Sequence, residues 1–398
     1  MAYNFNLVVN RKNTNSLKYD FAVERGKTAD ILPLWVADMD FPTVPEVTQA
    51  LVKASRHGIF GYTEVKEDYF KILRNWFSSH YHWDIERKWL VKTPGVVFAI
   101  AMAIRAFTEK NDTVLIQRPV YYPFSEAIES NERVLINNPL VYENGKYHMD
   151  LNDFEEKIIK NNVKLFILCN PHNPVGKVWT KDELIQLGDI CVKHNVLVVS
   201  DEIHADFIYP GHEHLNFANL KPEFFARTIT CTAPSKTFNL AGLQVSNVII
   251  GNPEIKSAFK TEIVKSGYSQ LNTMGLIACQ AAYEYGDIWL QELKEYLYGN
   301  LIYVKSFLEE NIPEVKLIDP EGTYLVWIDC NKLGLSAEEL EDLIVKKAKL
   351  WLDTGTMFGP EGLGFQRINI ACPRETLSLA LTQLKAAIEE LKNVTAFS

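Results

Sequence analysis

The chain has 398 residues, of which 47% are hydrophobic and 23% are charged, a balance typical of globular proteins. One hydrophobic core rarely serves a chain of this length, so we expect two domains. The 41 basic and 50 acidic residues give a net charge of −9. Because the basic residues form no stripe, the composition argues against nucleic acid or an anionic membrane surface as the main partner.

The N-terminal segment and the cysteines bear on where the protein works. Residues 1–6 are polar and lack the apolar core of a signal peptide. The longest apolar run, Val96–Ile104, is far too short to span a membrane. The six cysteines stand singly, without a C-x-x-C pair, which favours reduced thiols over disulfides or metal ligands. We therefore expect a cytoplasmic protein.

The first part of the chain predicts an arm followed by a large α/β domain. Residues 1–45 carry few periodic elements and contain three prolines, which favours an arm that joins the small domain. Residues 46–285 alternate short apolar runs with helical spacing, a pattern typical of a mostly parallel sheet covered by helices. The predicted strands are Thr113–Gln117, Val163–Cys169, Val196–Ser200, Thr228–Thr232 and Asn247–Ile250, and the predicted helices include Val97–Phe107 and Lys181–His194.

The C-terminal part, residues 286–398, predicts a smaller α+β domain. A helical stretch runs from about Gly275 towards Pro313. Two apolar strands follow at Thr323–Asp329 and Phe365–Ala371, with helical spacing near residues 336–350 and 375–392. This mixture of strands and helices is typical of an α+β unit.

Polar residues follow three successive predicted strands. Asn173, Asp201 and Lys236 each come shortly after a strand ends, and the carboxyl ends of parallel strands meet at one edge of a sheet. Taken singly, each has an ordinary explanation as a turn former, a helix cap or a solvated charge. Together they match the needs of pyridoxal phosphate (PLP): a lysine for a Schiff base and for proton transfer at Cα, a buried carboxylate on the pyridine nitrogen, and an amide donor to the ring oxygen.

A phosphate site is predicted before the helix that begins near Val96. We expect Thr93 to be its N-cap, with a proline in the first turn. The free backbone N–H groups of Gly95, Val96 and Val97 would then hold a phosphate with the help of the helix dipole, and the Ser235 hydroxyl would add a donor. A well-capped buried helix explains the same segment without a ligand.

Two further residues are candidates for contacts with the cofactor and the substrate. Tyr121 follows the predicted strand Thr113–Gln117 and is placed to stack on a pyridine ring, although a core aromatic is an equal alternative. Arg367 interrupts the apolar strand Phe365–Ala371. A guanidinium there needs a partner, and a substrate α-carboxylate would accept two parallel hydrogen bonds from it. A structural salt bridge is the alternative.

Several segments resemble the fold-type I PLP-dependent enzymes of the class I/II aminotransferase-like superfamily over residues 30–390, and within them the MalY/PatB-type cystathionine β-lyases, or C–S lyases. The superfamily resemblance lies in Asn170–Gly176, Ser200–His204, Ser235–Gly242 and Arg367–Ala371. The subfamily resemblance lies in Leu34–Pro42, Gly61–Thr63, Asp201–Asp206 and Ala233–Gln244.

The resemblance implies additional site residues and a homodimer. It adds His204 to the cofactor-binding set and the backbone near Ala37 to the substrate site. Many class I aminotransferases carry a phosphate-binding arginine eight residues after the lysine, where this chain has Gln244. Phosphate binding would then depend on the helix N-terminus, on Ser235 and on Tyr62, which by analogy reaches across from the other subunit.

The resemblance also implies the reaction. Lys236 and Asp201 would promote β-elimination of L-cystathionine and related cysteine S-conjugates to a thiol, pyruvate and ammonia, with Tyr121 among the catalytic residues and Arg367 holding the carboxylate. An aminotransferase, which would use the same residues, is the main alternative. A non-catalytic regulator is disfavoured because the lysine, aspartate and arginine are intact.

Two other enzyme classes are disfavoured by spacing. The pair His212 and His214 lies in a loop without the H-E-x-x-H spacing of a metal hydrolase, and we expect an exposed loop without a metal. The segment Gly362–Gly364 lacks the third glycine of a dinucleotide-binding motif, so a nicotinamide dehydrogenase is not predicted.

Overall fold

The computed structural model describes residues 3–396. Within that range the strands are β1 Leu32–Pro33, β2 Leu90–Thr93, β3 Thr113–Ile116, β4 Val134–Asn137, β5 Val141–Glu143, β6 Lys146–His148, β7 Leu165–Cys169, β8 Leu197–Asp201, β9 Thr228–Thr232, β10 Ser246–Ile250, β11 Lys316–Leu317, β12 Leu325–Asp329, β13 Leu350–Trp351, β14 Asp353–Thr354 and β15 Phe365–Asn369.

The α-helices of the same range are α1 Pro45–His57, α2 Glu67–Tyr81, α3 Val96–Phe107, α4 Pro123–Ser130, α5 Leu151–Asn161, α6 Lys181–Lys193, α7 Pro222–Phe225, α8 Pro234–Thr237, α9 Pro253–Lys265, α10 Thr273–Tyr285, α11 Asp287–Asn311, α12 Ala337–Asp342 and α13 Arg374–Ala396. Across residues 3–396, none of these helices is both long enough and apolar enough to cross a membrane.

The main sheet has seven strands in the order β2-β10-β9-β8-β7-β3-β4. The predicted α/β fold with a mostly parallel sheet is confirmed, since β9, β8, β7, β3 and β4 pair in parallel. One strand of the sheet has the opposite direction: β10 runs antiparallel to both of its neighbours. The chain returns from β9 to β10 without the long helical crossover that a parallel neighbour requires.

Helices cover both faces of this sheet because its strands are apolar on both sides. Side chains alternate along each strand. Val114 and Ile167 point to the face where they pack with Ile100 of α3. Leu115 and Phe166 point to the opposite face, in the cluster that includes α5 and α6. Burial on both faces fixes the register of the strands, and with it the positions of the residues that follow them.

A second sheet of four antiparallel strands has the order β11-β12-β15-β14. In its register Arg367 of β15 lies opposite Trp327 on one side and Asp353 on the other. This sheet contributes Val326 and Ile368 to the core formed with α11 and α13. The pairing brings an arginine and an aspartate to adjacent positions inside a buried sheet.

Two predicted helices of this region differ from the structure. The stretch from Gly275 towards Pro313 is two helices, α10 and α11, which meet at Gly286. A side chain at Gly286 would come within 2.2 Å of the Phe238 ring, so the close packing of this bend requires glycine. The helix expected over residues 336–350 ends at Asp342 and continues as one π-helical turn, Leu343–Lys347.

The N-terminal segment is tied to the C-terminal part of the chain. Strand β1 pairs in parallel with β13, and the Asn369 amide donates to the carbonyls of Val36 and Asp38 at 2.8 and 2.6 Å. The boundaries of the arm, the large domain (46–285) and the small domain (286–398) stay a prediction. The six cysteines are buried and unpaired.

Candidate active site

A cavity of about 420 Å³ lies at the carboxyl ends of the central parallel strands. Its apolar lining includes Phe98 and Tyr268, and its polar lining includes side chains from β7, β8 and α8. The cavity brings together most of the residues predicted for cofactor and substrate: Ala37, Val96, Val97, Tyr121, Asn173, Asp201, His204, Ser235 and Lys236. Two predicted residues, Arg367 and Tyr62, do not line it.

Lys236 is presented to the cavity by α8, a helix of four residues that begins directly after β9. Its Nζ donates to the carbonyl oxygen of Ala37 at 2.8 Å, and that oxygen also accepts from the Tyr324 hydroxyl at 2.9 Å. Burial, together with the charge of Arg367, lowers the pKa of Lys236 to about 8. The amine is therefore held in place and is partly unprotonated near neutral pH, as a nucleophilic amine must be.

Asp201, the last residue of β8, is buried, and its Oδ1 accepts from the backbone N–H of Ile203 at 3.1 Å. Burial raises its pKa to about 7, an effect that the Lys236 charge opposes. Among the described residues no cation lies within ion-pair distance of Asp201. A buried carboxylate of this kind matches a ligand that brings its own protonated nitrogen.

His204 lies one turn beyond Asp201 and is also buried. Burial lowers its pKa well below the ordinary value, and the charges of Lys236 and Arg367 act in the same direction. The ring is therefore neutral, and its Nδ1 has no hydrogen-bond partner among residues 3–396. A buried imidazole nitrogen without a partner is suited to contact a polar ligand in the cavity.

The raised pKa of Asp201 predicts a pH dependence of stability in the cofactor-free protein. A carboxyl whose folded-state pKa is raised stabilises the fold below its ordinary pKa near 4, and this contribution is lost as the pH rises through 7. Between about pH 5.5 and pH 8.5, we expect the free energy of unfolding of the wild type to fall by about 2 kcal/mol more than that of Asp201→Asn. Urea unfolding at the two pH values measures the difference, and parallel pH profiles would contradict the burial argument.

Arg367 sits behind the cavity in a buried cluster. Its guanidinium forms an ion pair with Asp353 and donates to the Asn173 side-chain oxygen at 2.9 Å and to the Trp35 carbonyl at 3.0 Å. It also lies over the Phe358 ring, 4.9 Å from the centroid. Burial raises the pKa of Asp353, and the Arg367 charge opposes the shift. The salt bridge that was the alternative for Arg367 is present, while its Nε has no hydrogen-bond partner within the part of the chain that the structure describes.

This cluster contains two residues that the sequence did not identify. Asp353 and Phe358 hold the guanidinium, yet both lie in a short run of ordinary apolar and turn residues. The one available signal was a lone acid, Asp353, directly after the apolar residues Leu350–Leu352. The structure also joins two residues that were expected to act separately, because Asn173 contacts Arg367 directly.

The residue predicted to be the N-cap of the helix at the phosphate site is wrong. Helix α3 begins at Val96 with Gly95, not Thr93, as its N-cap. Thr93 is the last residue of β2, and its hydroxyl bonds the Ser246 hydroxyl at 2.5 Å. The free N–H groups at the start of α3 nevertheless line the cavity, together with Ser235 and Gln244.

Tyr62 and the histidine pair lie outside the cavity. Tyr62 is 96% exposed and lines a separate surface groove with Thr63 and residues 269–274. The expected exposed loop at the histidines is wrong for His214, which is buried and lies 3.2 Å from a Glu202 carboxylate oxygen. Within residues 3–396 no group of three or more histidine, cysteine or acidic side chains is arranged to hold a metal ion.

The sheet topology and the residues of the cavity together define the class of enzyme. A lysine, a buried carboxylate and an asparagine meet at the carboxyl edge of a mostly parallel sheet, beside the N-terminus of a buried helix, and this is the arrangement of a fold-type I PLP-dependent enzyme. The chain belongs to the family Aminotransferase class I and II, which matches residues 29–384.

Several known proteins are similar to this chain over nearly its whole length. Cystathionine β-lyase PatB of Bacillus subtilis is 42% identical over 97% of this chain and 100% of its own length. A PLP-bound putative aminotransferase from Clostridium difficile is 46% identical over 97% of this chain and 100% of its own, with a TM-score of 0.94. A PLP-bound C–S lyase from Staphylococcus hominis is 34% identical over 97% and 98%, with a TM-score of 0.90. The predicted resemblance to PLP enzymes of the PatB type is confirmed.

Proposed function

We propose that this protein is a PLP-dependent carbon–sulfur lyase. It cleaves L-cystathionine and related cysteine S-conjugates by β-elimination, and it releases a thiol (homocysteine from cystathionine), pyruvate and ammonia. The observation that carries the proposal is the meeting of Lys236 and Asp201 in one cavity, in a chain that is 42% identical to a cystathionine β-lyase.

The residues of the cavity fit PLP. Asp201, which is buried and has no cation at ion-pair distance among the described residues, would bind the protonated pyridine nitrogen. Asn173 and His204 would face the ring, and Tyr121 would stack on it. The phosphate would take the N–H groups of residues 95–97 and the Ser235 hydroxyl. When bound, PLP supplies an electron sink for the carbanion that forms at the substrate Cα.

The protein's own groups then perform two tasks. Lys236 removes the proton from the substrate Cα, which its lowered pKa and its fixed position beside Ala37 favour. Arg367 and the backbone near Ala37 hold the substrate carboxylate, so that the Cα–H bond stays oriented towards the amine. Loss of the thiolate from Cβ leaves an enamine, and its hydrolysis gives pyruvate and ammonia.

The proposal includes a cytoplasmic homodimer. Six buried, unpaired cysteines support a reducing compartment. The almost fully exposed Tyr62 ring supports an intersubunit contact, in which the Tyr62 hydroxyl reaches the phosphate bound by the partner.

The role of Tyr62 gives a direct prediction. Loss of a hydrogen bond to a charged phosphate in Tyr62→Phe is expected to raise the Kd of PLP about tenfold. Titration of the cofactor-free protein by absorption measures this Kd, with Tyr285→Phe, a change at another exposed tyrosine, as the matched control. An unchanged Kd in Tyr62→Phe, or a monomer by sedimentation, would remove Tyr62 from the site.

The lyase and aminotransferase activities can be distinguished because only an aminotransferase needs a 2-oxo acid to accept the amino group. The purified holoenzyme is incubated with L-cystathionine, and separately with L-alanine, each with and without 2-oxoglutarate. The proposal predicts pyruvate and thiol from cystathionine without any 2-oxo acid. Glutamate formed only when 2-oxoglutarate is present, with no thiol release, would instead identify an aminotransferase.

A further inference from the structure

We propose that Asp206 is a positioning residue that fixes the lysine-bearing helix α8 to the strand end carrying Asp201. The Thr237 hydroxyl donates to Asp206 Oδ2 at 2.5 Å, and both side chains are buried. Thr237 directly follows Lys236 in α8. The inference rests on the proposed attachment of the cofactor to Lys236.

The Asp206 carboxylate is itself held in place from two directions. The turn that follows Asp201 is closed by backbone hydrogen bonds from Ala205 to Glu202 at 3.1 Å and from Phe207 to His204 at 3.0 Å. Asp206 lies inside this turn, so its position is coupled to β8. Its other oxygen accepts from the hydroxyl of Tyr81, the last residue of α2, at 2.5 Å. The carboxylate therefore links three elements.

Helix α8 needs such an anchor. It has only four residues, and a helix this short has no stability of its own. Within the helix, the backbone N–H of Phe238 donates to the Pro234 carbonyl at 2.9 Å. The hydrogen bond from the Thr237 hydroxyl to Asp206 connects the helix to the turn that follows Asp201. If that bond is lost, α8 can shift relative to Asp201, and the Lys236 amine moves away from the Ala37 carbonyl.

The test compares variants that change one hydroxyl at a time. Thr237→Val removes the donor to Asp206 at nearly constant volume, whereas Thr237→Ser keeps it. Tyr81→Phe removes the other donor to the same carboxylate without touching α8. For each holoenzyme, the pH midpoint of the visible absorption band of the lysine-bound cofactor, kcat, KM and Tm are measured.

We expect Thr237→Val to lower kcat at least tenfold with little change in KM, since small misplacements of a reacting group are costly. We expect the midpoint of the band to move by roughly half a pH unit or more. Thr237→Ser restores both quantities, and Tyr81→Phe lowers Tm but leaves the midpoint unchanged. Asp206→Ala, which removes the acceptor, reproduces the changes of Thr237→Val. The double variant Thr237→Val with Asp206→Ala has a kcat no lower than either single variant, as expected when both act through one bond.

The inference is overturned if Thr237→Val has the wild-type midpoint and kcat, or if Tyr81→Phe changes both as much as Thr237→Val does. If Asp206→Ala does not fold, the comparison of Thr237→Val with Thr237→Ser carries the test. Failure of the proposed function has a different signature, because the wild type itself would then show no band from a lysine-bound cofactor.

Discussion

Replacement of Lys236 by alanine is expected to lower kcat for β-elimination by about 10³–10⁴-fold. The variant loses the amine that is proposed to move the Cα proton, and no other described side chain that lines the cavity has an amine to replace it. The rate of pyruvate release from L-cystathionine measures the effect. The thermal midpoint of the cofactor-free variant shows whether the fold is intact.

Lys181→Ala is the matched control for this experiment, because Lys181 is exposed at the start of α6. It is expected to keep the wild-type rate. A Lys236→Ala enzyme that retained a rate within tenfold of the wild type would show that the proton is moved by another group, and the assignment of Lys236 would be wrong.

Replacement of Arg367 by methionine is expected to cost both activity and stability. In its proposed role the guanidinium holds the substrate carboxylate, so its loss lowers kcat/KM by about 10²–10³-fold. The replacement also leaves the Asp353 carboxylate buried without its partner, which costs about 3–5 kcal/mol of the free energy of unfolding. Steady-state kinetics and urea unfolding measure the two losses separately.

The double variant Arg367→Met with Asp353→Asn separates these two roles. Removal of the unpaired charge at Asp353 restores most of the stability, because an amide is far less costly to bury than a lone carboxylate. It does not restore kcat/KM, since the guanidinium is still absent. Recovery of kcat/KM together with stability would mean that Arg367 is a structural residue and that the substrate carboxylate binds elsewhere.

Much of the site is predictable from the sequence because parallel strands share an edge. Asn173, Asp201 and Lys236 are far apart in the chain, yet each follows an apolar strand, and strands buried on both faces must lie side by side. The structure places all three around one cavity. The grouping of these three residues could therefore be predicted from local patterns, whereas the reaction was implied by the family resemblance.

The pairing of Arg367 with Asp353 could not be predicted in this way. It depends on the antiparallel register of two strands, β14 and β15, one of which has only two residues. A strand of that length leaves no periodic pattern in the sequence. The arginine was visible because it interrupts an apolar run, but its partner was not.

The remaining differences follow from tertiary contacts that override local signals. Thr93 has the side chain of an N-cap but ends β2, where its hydroxyl bonds Ser246 of the neighbouring strand. His214 lies in a polar loop but is buried against Glu202. Local propensity had predicted a helix cap at the first residue and exposure at the second.

The most direct test of the central claim is a product count from the wild-type holoenzyme with L-cystathionine as the sole added substrate. The proposed function predicts homocysteine, pyruvate and ammonia in equal amounts throughout the progress curve, without a 2-oxo acid. Consumption of cystathionine that required a 2-oxo acid and yielded no free thiol would contradict it, and the protein would then be an aminotransferase.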